Sequence, residues 1–207
     1  MFTQNTCIYP TCRATALSSF DRDGTITEDC NYCLAHSPDP EGIKAAISQY
    51  IRSHDKIIGL NASGLVFTDI DLTGKRFYGC CFQNCSFSTV YAENCRMRMC
   101  MFDFSLFADC SLLQSNIQFT SFAGAAFSHI LFTGSDLVHN NFCGITSYQS
   151  SFDDSDLYNS RFIQAKLTDT SFYNCNIKNT VFYDIEQSNV SFRMSNTREA
   201  FFVREEQ

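Results

Sequence analysis

Residues 65 to 192 repeat with a period of five, and the phase of the repeat does not change along the stretch. Counting every fifth position from Phe67 to Phe192 gives 26 slots, and Phe, Leu, Ile or Met fills 23 of them. The residue two positions before each slot is usually Ser, Cys or Ala. A period of five is neither the period of about 3.6 of a helix nor the alternation of a strand. The repeat must therefore be interpreted as a whole before any local element is assigned.

A five-residue unit can bury one large and one small side chain if the chain turns a corner after each unit. Four such units close a square coil, and stacked coils pair as parallel strands about 4.8 Å apart. The small residue points inward beside the large one, because a narrow, densely packed interior has no room for two large side chains. The period thus predicts an all-β solenoid.

Several units match a known repeat closely. The clearest are Cys85-Ser-Phe-Ser-Thr89, Ser135-Asp-Leu-Val-His139, Ser155-Asp-Leu-Tyr-Asn159 and Ala165-Lys-Leu-Thr-Asp169. They resemble the pentapeptide-repeat family, whose units place a small residue two positions before a central Phe or Leu. The resemblance covers about residues 60–202. It implies a right-handed quadrilateral parallel β-helix.

Positions twenty residues apart should lie on the same side of successive coils. One such series is entirely Phe: Phe82, Phe102, Phe122, Phe142, Phe162, Phe182 and Phe202. It predicts a continuous internal column of Phe rings. Where the central slot is small or polar, the residue two positions earlier is large, as in Val90 with Ala92, Ile145 with Ser147 and Ile185 with Gln187. This exchange approximately conserves the interior volume.

Composition excludes several functional classes. The net charge is −7, which disfavours direct binding of nucleic acid. The apolar runs are too short to cross a membrane, and the N-terminus has no secretory signal. Six of the twelve cysteines occupy the small inward slot, namely Cys80, Cys85, Cys95, Cys100, Cys110 and Cys175. There they serve as small apolar fillers, and mostly unpaired thiols predict a reducing, cytoplasmic setting.

Residues 1–39 have a different character and contain four further cysteines in two close pairs. Cys7 and Cys12 form a C-x4-C pair, and Cys30 and Cys33 form a C-x2-C pair. This spacing is typical of a tetrahedral structural zinc site and is similar to small treble-clef or ribbon-type zinc fingers. His36 is a substitute ligand, and disulfides or free thiols are the alternatives. A segment this short has little core, so Zn²⁺ would supply much of its folding free energy.

The loop between the two cysteine pairs allows two interpretations. Asp23-Gly24 is flanked by β-formers, which predicts a hairpin. The run Asp21-Arg-Asp23-Gly-Thr also resembles the motif of haloacid-dehalogenase-like phosphatases, which would make Asp21 the nucleophile and Asp23 the acid/base. That motif follows a buried apolar strand in an α/β domain, whereas here a poor strand precedes it and a solenoid follows.

The chain divides into four parts. Residues 1–39 form the zinc-finger-like segment, and residues 40–56 form a helix that caps the solenoid, with Asp39 as N-cap and Pro40 in the first turn. By the resemblance, we expect residues 57–195 to form the pentapeptide-repeat β-helix. Residues 196–207 form a C-terminal cap or tail, which closes the other end or makes a dimer contact.

No catalytic constellation is found in the sequence, and a straight square rod has no natural cleft. Outward positions in the second and third coils are unusually apolar: Met99, Met101, Phe104, Leu106 and Phe119. Exposed apolar patches mark covered or binding surfaces. The N-terminal segment could fold over this patch, a protein partner or a second copy could bind it, or some of these side chains could point inward. Arg96 and Arg98 flank it.

The sequence therefore predicts a non-enzymatic protein-interaction scaffold that contacts an unknown protein partner, with a homodimer as a further option. The alternative comes from the resemblance: some pentapeptide-repeat proteins are acidic dimeric rods that imitate duplex DNA and bind type II topoisomerases. This chain shares the acidic charge. It departs from them in its N-terminal cysteine segment, and residues 65–192 carry 7 basic against 12 acidic residues, a modest excess.

Overall fold

The five-residue units form the sides of a four-sided parallel β-solenoid, seen in a computed structural model that describes residues 5–27 and 31–203. Each strand pairs with the strand one coil later in a register of twenty residues, as in Phe87 with Phe107 and Phe107 with Phe127. The all-β solenoid predicted from the period of five is confirmed.

Two opposite faces of the solenoid are continuous sheets. The first is a seven-stranded sheet of β4 (Val66–Thr68), β6 (Ser86–Ser88), β8 (Leu106–Ala108), β10 (Ala126–Ser128), β11 (Thr146–Tyr148), β12 (Lys166–Thr168) and β13 (Glu186–Ser188). The second is a four-stranded sheet of β3 (Lys56–Ile58), β5 (Arg76–Tyr78), β7 (Arg96–Arg98) and β9 (Asn116–Gln118), and single bridges extend it through Asp136 and Asp156 to Asn176. The other two faces are columns of single bridges, from Asn61 to Phe201 and from Asp71 to Ser191.

Each corner is turned by a residue with a positive φ angle. Asn84 and Asp109 illustrate the common case, with φ of 56° and 55°. Asn and Asp tolerate this left-handed conformation because their short polar side chains form local hydrogen bonds. Met99, Phe104 and Phe119 adopt the same conformation, with φ of 52°, 59° and 54°, although bulky residues rarely do so.

The predicted Phe column is confirmed. From Phe82 to Phe202, rings one coil apart are stacked with centroids 4.8–5.2 Å apart. A second column from Phe132 to Phe192 stacks in the same way at 4.8–5.0 Å. Rings of the two columns meet edge to face, as between Phe142 and Phe152. These are the two geometries that aromatic rings prefer.

The small inward residues also connect the coils by hydrogen bonds. The Ser135 hydroxyl accepts a hydrogen bond from the backbone N–H of Ser115 at 2.9 Å and donates one to the carbonyl of Leu112 at 3.0 Å. Cysteines occupy the same slot as buried free thiols. Burial raises the pKa of the Cys85 and Cys95 thiols to about 12.

The expected exchange of large and small slots is confirmed for two pairs and wrong for the third. Val90 with Ala92 and Ile145 with Ser147 are fully buried. Gln187, in contrast, is exposed. It lies in β13, the last strand of its sheet in the described residues, and no further strand covers it.

A helix covers the first coil. The helix α1 (Pro40–Ser53) begins at Asp39, whose carboxylate accepts a hydrogen bond from the backbone N–H of Gly42 at 2.9 Å, as expected for the predicted N-cap. Ile47 and Ile51 are buried in the same hydrophobic cluster as Leu60 of the first coil.

The remaining short elements lie at the two ends of the solenoid. The predicted hairpin is present as β1 (Ser19–Phe20) and β2 (Ile26–Thr27). Leu34–His36 and Thr197–Glu199 are single 3₁₀ turns. Beyond the second turn, Phe201 pairs with Val181 and continues the coil pattern.

We expect Phe142→Asp to unfold the solenoid, because it places a carboxylate in an interior where Phe142 is 0% exposed. The loss of unfolding free energy should exceed the about 3–5 kcal/mol typical of Phe→Ala in a core. Phe104→Asp is the control, because Phe104 is 65% exposed in a corner conformation that Asp tolerates. Urea denaturation followed by circular dichroism measures both variants, and equal stabilities would contradict the assigned interior.

We also expect alkaline conditions to destabilise the fold through its buried thiols. Unfolded thiols lose protons near pH 9.0, whereas burial raises the pKa of Cys85, Cys95 and Cys175 to about 12. These groups keep their full contribution below pH 9.0 and lose it as the pH rises towards about 12, by up to about 1.4 kcal/mol per pH unit for each thiol. Denaturation across this range, compared with a variant carrying Ser at all three positions, checks the slope. An unchanged slope would exclude the thiols as its cause.

Candidate metal centre

Four side chains of the N-terminal segment converge on one point. The ligand atoms of Cys7, Cys12, Cys33 and His36 all lie within 4.8 Å of one another. His36 Nδ1 lies 3.6 Å from Cys7 Sγ and 3.3 Å from Cys33 Sγ, and the sulfurs of Cys12 and Cys33 are 3.9 Å apart. This separation is far longer than a disulfide bond of about 2.05 Å. The four residues lie close enough together to hold a metal ion.

Local backbone hydrogen bonds bring these residues together. The N–H of Cys12 donates to the carbonyl of Tyr9 at 3.1 Å, and the N–H of Cys7 donates to the carbonyl of Ala14 at 2.8 Å, which closes the first loop. On the second side, the N–H of His36 donates to the carbonyl of Cys33 at 3.1 Å. This 3₁₀ turn places the His36 imidazole beside the Cys33 thiol. Two residues three positions apart can therefore both act as ligands of one metal ion.

The surroundings of the site favour a thiolate at Cys7. Burial opposes ionisation of this thiol, but hydrogen bonds from the backbone of Cys33 and Tyr9 and from His36 outweigh it and lower its pKa to about 6. Burial and the neighbouring Cys7 raise the pKa of Cys33. The ring of Tyr9 stacks on His36 with centroids 4.0 Å apart and fixes the imidazole orientation. Metal ions bind thiolates and neutral imidazole, so this is a suitable ligand environment.

The structure tests the predicted ligand set only in part. It brings Cys7, Cys12 and Cys33 together, and His36, the predicted substitute, takes the fourth position in the cluster. Cys30, the fourth predicted ligand, lies outside the described residues. Three sulfurs and one imidazole nitrogen match the donor set of structural zinc sites, in which a tetrahedron has edges of about 3.5–3.8 Å.

The N-terminal segment is attached to the first coil through Asn61, a role that the sequence did not indicate. The N–H of Ser18 donates to the carbonyl of Asn61 at 3.0 Å, and the N–H of Asn61 donates to the hydroxyl of Ser18 at 2.8 Å. The Asn61 amide also donates to the carbonyl of Ala16. Leu17 is buried in the solenoid core. The cluster of Cys7, Cys12, Cys33 and His36 is thereby held at one end of the solenoid.

The acidic pair in the hairpin forms a turn rather than a catalytic pocket. One oxygen of Asp21 accepts hydrogen bonds from the N–H of Asp23 at 3.0 Å and of Thr25 at 2.8 Å. Both carboxylates are exposed at the tip of the hairpin. This is an Asp-Gly turn of the ordinary kind, which satisfies its own backbone donors.

The predicted apolar patch is exposed, and we call it the apolar ridge: Met99, Met101, Phe104, Leu106 and Phe119. Four of these side chains are 55–65% exposed, and Met101 is half-buried. The expectation that the N-terminal segment covers the ridge is wrong for the described residues, because that segment packs against Asn61. The alternative that some of these side chains point inward is also wrong for the four exposed ones.

The packing of the ridge explains part of its shape. A side chain at Gly124 would come within 2.7 Å of the Phe104 ring, so Gly124 makes room for that ring one coil later. The Phe119 ring stacks on His139 with centroids 4.8 Å apart.

Comparison with known proteins agrees with the repeat geometry. Residues 149–184 match the family described as Pentapeptide repeats, in eight copies. No curated protein sequence matches the chain. No helix in residues 5–27 and 31–203 has the length and apolar character needed to cross a membrane.

Solved structures of pentapeptide repeat proteins are similar to the chain. Rfr23 from the cyanobacterium Cyanothece 51142 is 8% identical, with 76% of this chain and 98% of that chain covered and a TM-score of 0.44. A protein of the Arabidopsis thaliana thylakoid lumen is 20% identical over 59% of this chain and 68% of that chain, with a TM-score of 0.36. QnrB1, a plasmid-mediated fluoroquinolone resistance protein, is 16% identical over 65% of this chain and 92% of that chain, with a TM-score of 0.32.

We expect Cys33→Ser to abolish metal binding, because Cys33 Sγ contacts both the His36 nitrogen and the Cys12 sulfur. Titration of the metal-free protein with Co²⁺ should show thiolate charge-transfer absorption in the parent and not in this variant. Cys143→Ser is the matched control, because Cys143 is a half-buried thiol on the solenoid, away from the cluster. This variant should bind Co²⁺ as the parent does.

The same titration identifies the fourth ligand. His36→Ala should lose the tetrahedral Co²⁺ spectrum, and Cys30→Ser should keep it if the cluster of three thiols and one imidazole is complete. The reverse result would make Cys30 the ligand, as the thiol spacing predicts.

Proposed function

We propose that this pentapeptide-repeat protein is a protein-interaction scaffold without catalytic activity, in which a structural zinc centre is fixed to one end of the solenoid. The observation that carries the proposal is the apolar ridge. Apolar side chains that remain exposed on two adjacent corners are typical of surfaces that bind a partner.

The backbone of the ridge supports the same conclusion. At the corner positions, Asn, Asp or Gly satisfies the left-handed conformation at low cost, as at Asn84 and Gly144. Phe104 and Met99 occupy such corners at a conformational cost and gain little burial in return. Most other corners carry Gly or a polar residue, so the fold itself does not require an apolar side chain at Phe104 or Met99.

A structural role for zinc follows from the nature of the ligand set. Four protein ligands would complete a tetrahedral site and leave no open position for a substrate. The site would supply folding free energy to a segment with few core residues of its own. Because the described cysteines are all free thiols, we place the protein in a reducing compartment, the cytoplasm.

Imitation of duplex DNA is the second candidate, and the acidic charge favours it. The exposed cations Lys56, Arg76 and Arg96 on one sheet face argue against it, because a mimic of the phosphate backbone should be acidic along its length. Inhibition of gyrase supercoiling by the purified protein would support mimicry, and no inhibition at a molar excess would exclude it.

The scaffold proposal is tested by comparing two exposed apolar residues in one column. Leu106 lies on the ridge, and Val66 lies two coils away in the same column of the same sheet. The variants Leu106→Lys and Val66→Lys therefore add the same charge to the same face. Quantitative affinity capture from the native cells should lose one defined partner with Leu106→Lys and retain it with Val66→Lys. Equal capture by both variants and the parent would overturn the role of the ridge.

Metal analysis tests the zinc part of the proposal separately. We expect about one zinc per chain by elemental mass spectrometry, since one cluster of four ligands is described. Removal of the metal with a chelator should unfold the N-terminal segment and leave the β signal of the solenoid largely unchanged. Loss of the β signal would mean that the solenoid itself depends on the metal.

A further inference from the structure

One face of the solenoid carries a row of outward side chains whose charge changes sign at its middle. The row runs Lys56, Arg76, Arg96, Asn116, Asp136, Asp156 and Asn176, with each residue paired to the next through the backbone. It is basic before Asn116 and acidic after it. We call it the charge row.

Within the chain, the basic half of the charge row has an aromatic contact, from Lys56 Nζ to the Tyr78 ring at 5.6 Å from its centroid, but no neutralising charge. Lys56, Arg76 and Arg96 are exposed, and none of them forms an ion pair with a carboxylate of residues 5–27 or 31–203. Like charges on directly paired strand positions destabilise a sheet. Three aligned cations on an otherwise acidic protein therefore point to a ligand outside the chain.

The acidic half is held in place by neutral groups. Asp136 accepts hydrogen bonds from the side-chain amides of Asn116 at 2.8 Å and Gln118 at 2.6 Å. Asp156 accepts one from Asn176 at 3.0 Å. Amide donors orient these carboxylates without neutralising them, and neither forms an ion pair with a cation of residues 5–27 or 31–203. Arg98, on the neighbouring column of the same face, attracts Asp136 electrostatically, so Asp156 is the more available of the two carboxylates.

We propose that a second copy of this chain binds the charge row in antiparallel orientation. The twofold axis runs along the strand direction through the coil that contains Asn116. A residue that lies a given number of coils before Asn116 then meets the residue the same number of coils after it on the other copy. Arg96 meets Asp136 and Arg76 meets Asp156, and symmetry produces each contact twice.

The neighbouring columns fit the same axis. Phe119 is the corner residue of the coil side that contains Asn116. The twofold axis therefore brings the two Phe119 rings together, and each ring is 57% exposed in the single chain. Met99 meets His139, on which Phe119 is stacked. Between the columns of Asn116 and Phe119 lies the column of Gln118, in which Tyr78 meets Tyr158. An aromatic centre with charge pairs around it is the usual arrangement of a specific interface.

Other occupants fit this face less well. Two copies in parallel orientation would place the cations opposite cations and the carboxylates opposite carboxylates. A nucleic acid or another uniform polyanion would be attracted by Arg76 and repelled by Asp156 on the same face. Only an occupant whose charge changes sign in the reverse order matches the row, and the chain itself has that order.

The inference shares Met99 and Phe119 of the apolar ridge with the proposed function, but the test of the proposed function depends on Leu106 alone. The dimer uses the corner of Met99 and Phe119, and it leaves Phe104 and Leu106 on the next corner and face free for a different partner. Failure of one proposal would therefore not remove the other.

A charge-swap experiment tests the interface by sedimentation velocity on the purified full chain with its metal. We expect the parent to dimerise at low salt and to dissociate as salt rises, because exposed ion pairs are screened. Arg76→Glu and Asp156→Arg should each weaken dimerisation at least about tenfold, because each creates two contacts of like charge. An equal mixture of the two variants should dimerise again, since opposite charges then face each other at both contacts.

Lys166→Glu is the matched control, because Lys166 is exposed in the seven-stranded sheet on the opposite face and the substitution changes the charge by the same amount. It should dimerise as the parent does, and thermal melts should show that all variants are folded. A parent that stays monomeric at all attainable concentrations overturns the proposal, as does a mixture that stays monomeric.

Two further results would assign the face or the contact differently. If Arg76→Glu keeps the dimer and Phe104→Asp abolishes it, the contact lies around Phe104 and Leu106 and not on the charge row, and the proposal is wrong. If a duplex DNA fragment binds the parent and Arg76→Glu abolishes that binding, the charge row serves a nucleic acid instead.

Discussion

The rest of the structure depends on one packing arrangement: each side of every coil places one large and one small side chain in the interior. Because the interior holds only this combination, every coil has the same perimeter, and its backbone groups can pair with those of the next coil. The serine hydroxyls add a second set of bonds inside the coil, as Ser135 does between Ser115 and Leu112. Outward side chains contribute little to this packing, which leaves the faces free to carry charge and apolar groups.

The first coil is where an open solenoid end would otherwise expose its core and its strand edges. Here the helix α1 supplies Ile47 and Ile51, and the N-terminal segment supplies Leu17 and its hydrogen bonds to Asn61. The candidate metal centre lies in that segment. A metal ion bound there would order the loops that hold Ser18 against the coil, so metal binding and the covering of the solenoid end are physically connected.

Much of the fold could be predicted because a repeat reports burial directly. A position that is Phe in every coil, such as Phe122, has to face the same interior as Phe142. The prediction that Gln187 is buried beside Ile185 was wrong. The interior volume is constant only where a coil has neighbours on both sides, and Gln187 lies in the last strand of its sheet in the described residues.

The candidate site was less predictable than the solenoid. Cys30 and His36 stand at equal distances on either side of Cys33, so spacing alone could not choose between them. The turn that brings His36 to Cys33 depends on backbone geometry, and the contact of Ser18 with Asn61 joins residues 43 positions apart. Neither leaves a periodic signal in the sequence.

The fixed coil length has a consequence for how such a chain can change. Removing four consecutive units would shorten the solenoid by one coil and leave every remaining column aligned. Removing a single unit would keep one large and one small inward residue on each side, yet it would rotate everything downstream by a quarter turn and break the continuous Phe column. The basic half of the charge row would then stand above a different face from its acidic half. Only the insertion or removal of whole coils therefore preserves both the interior columns and the surface pattern.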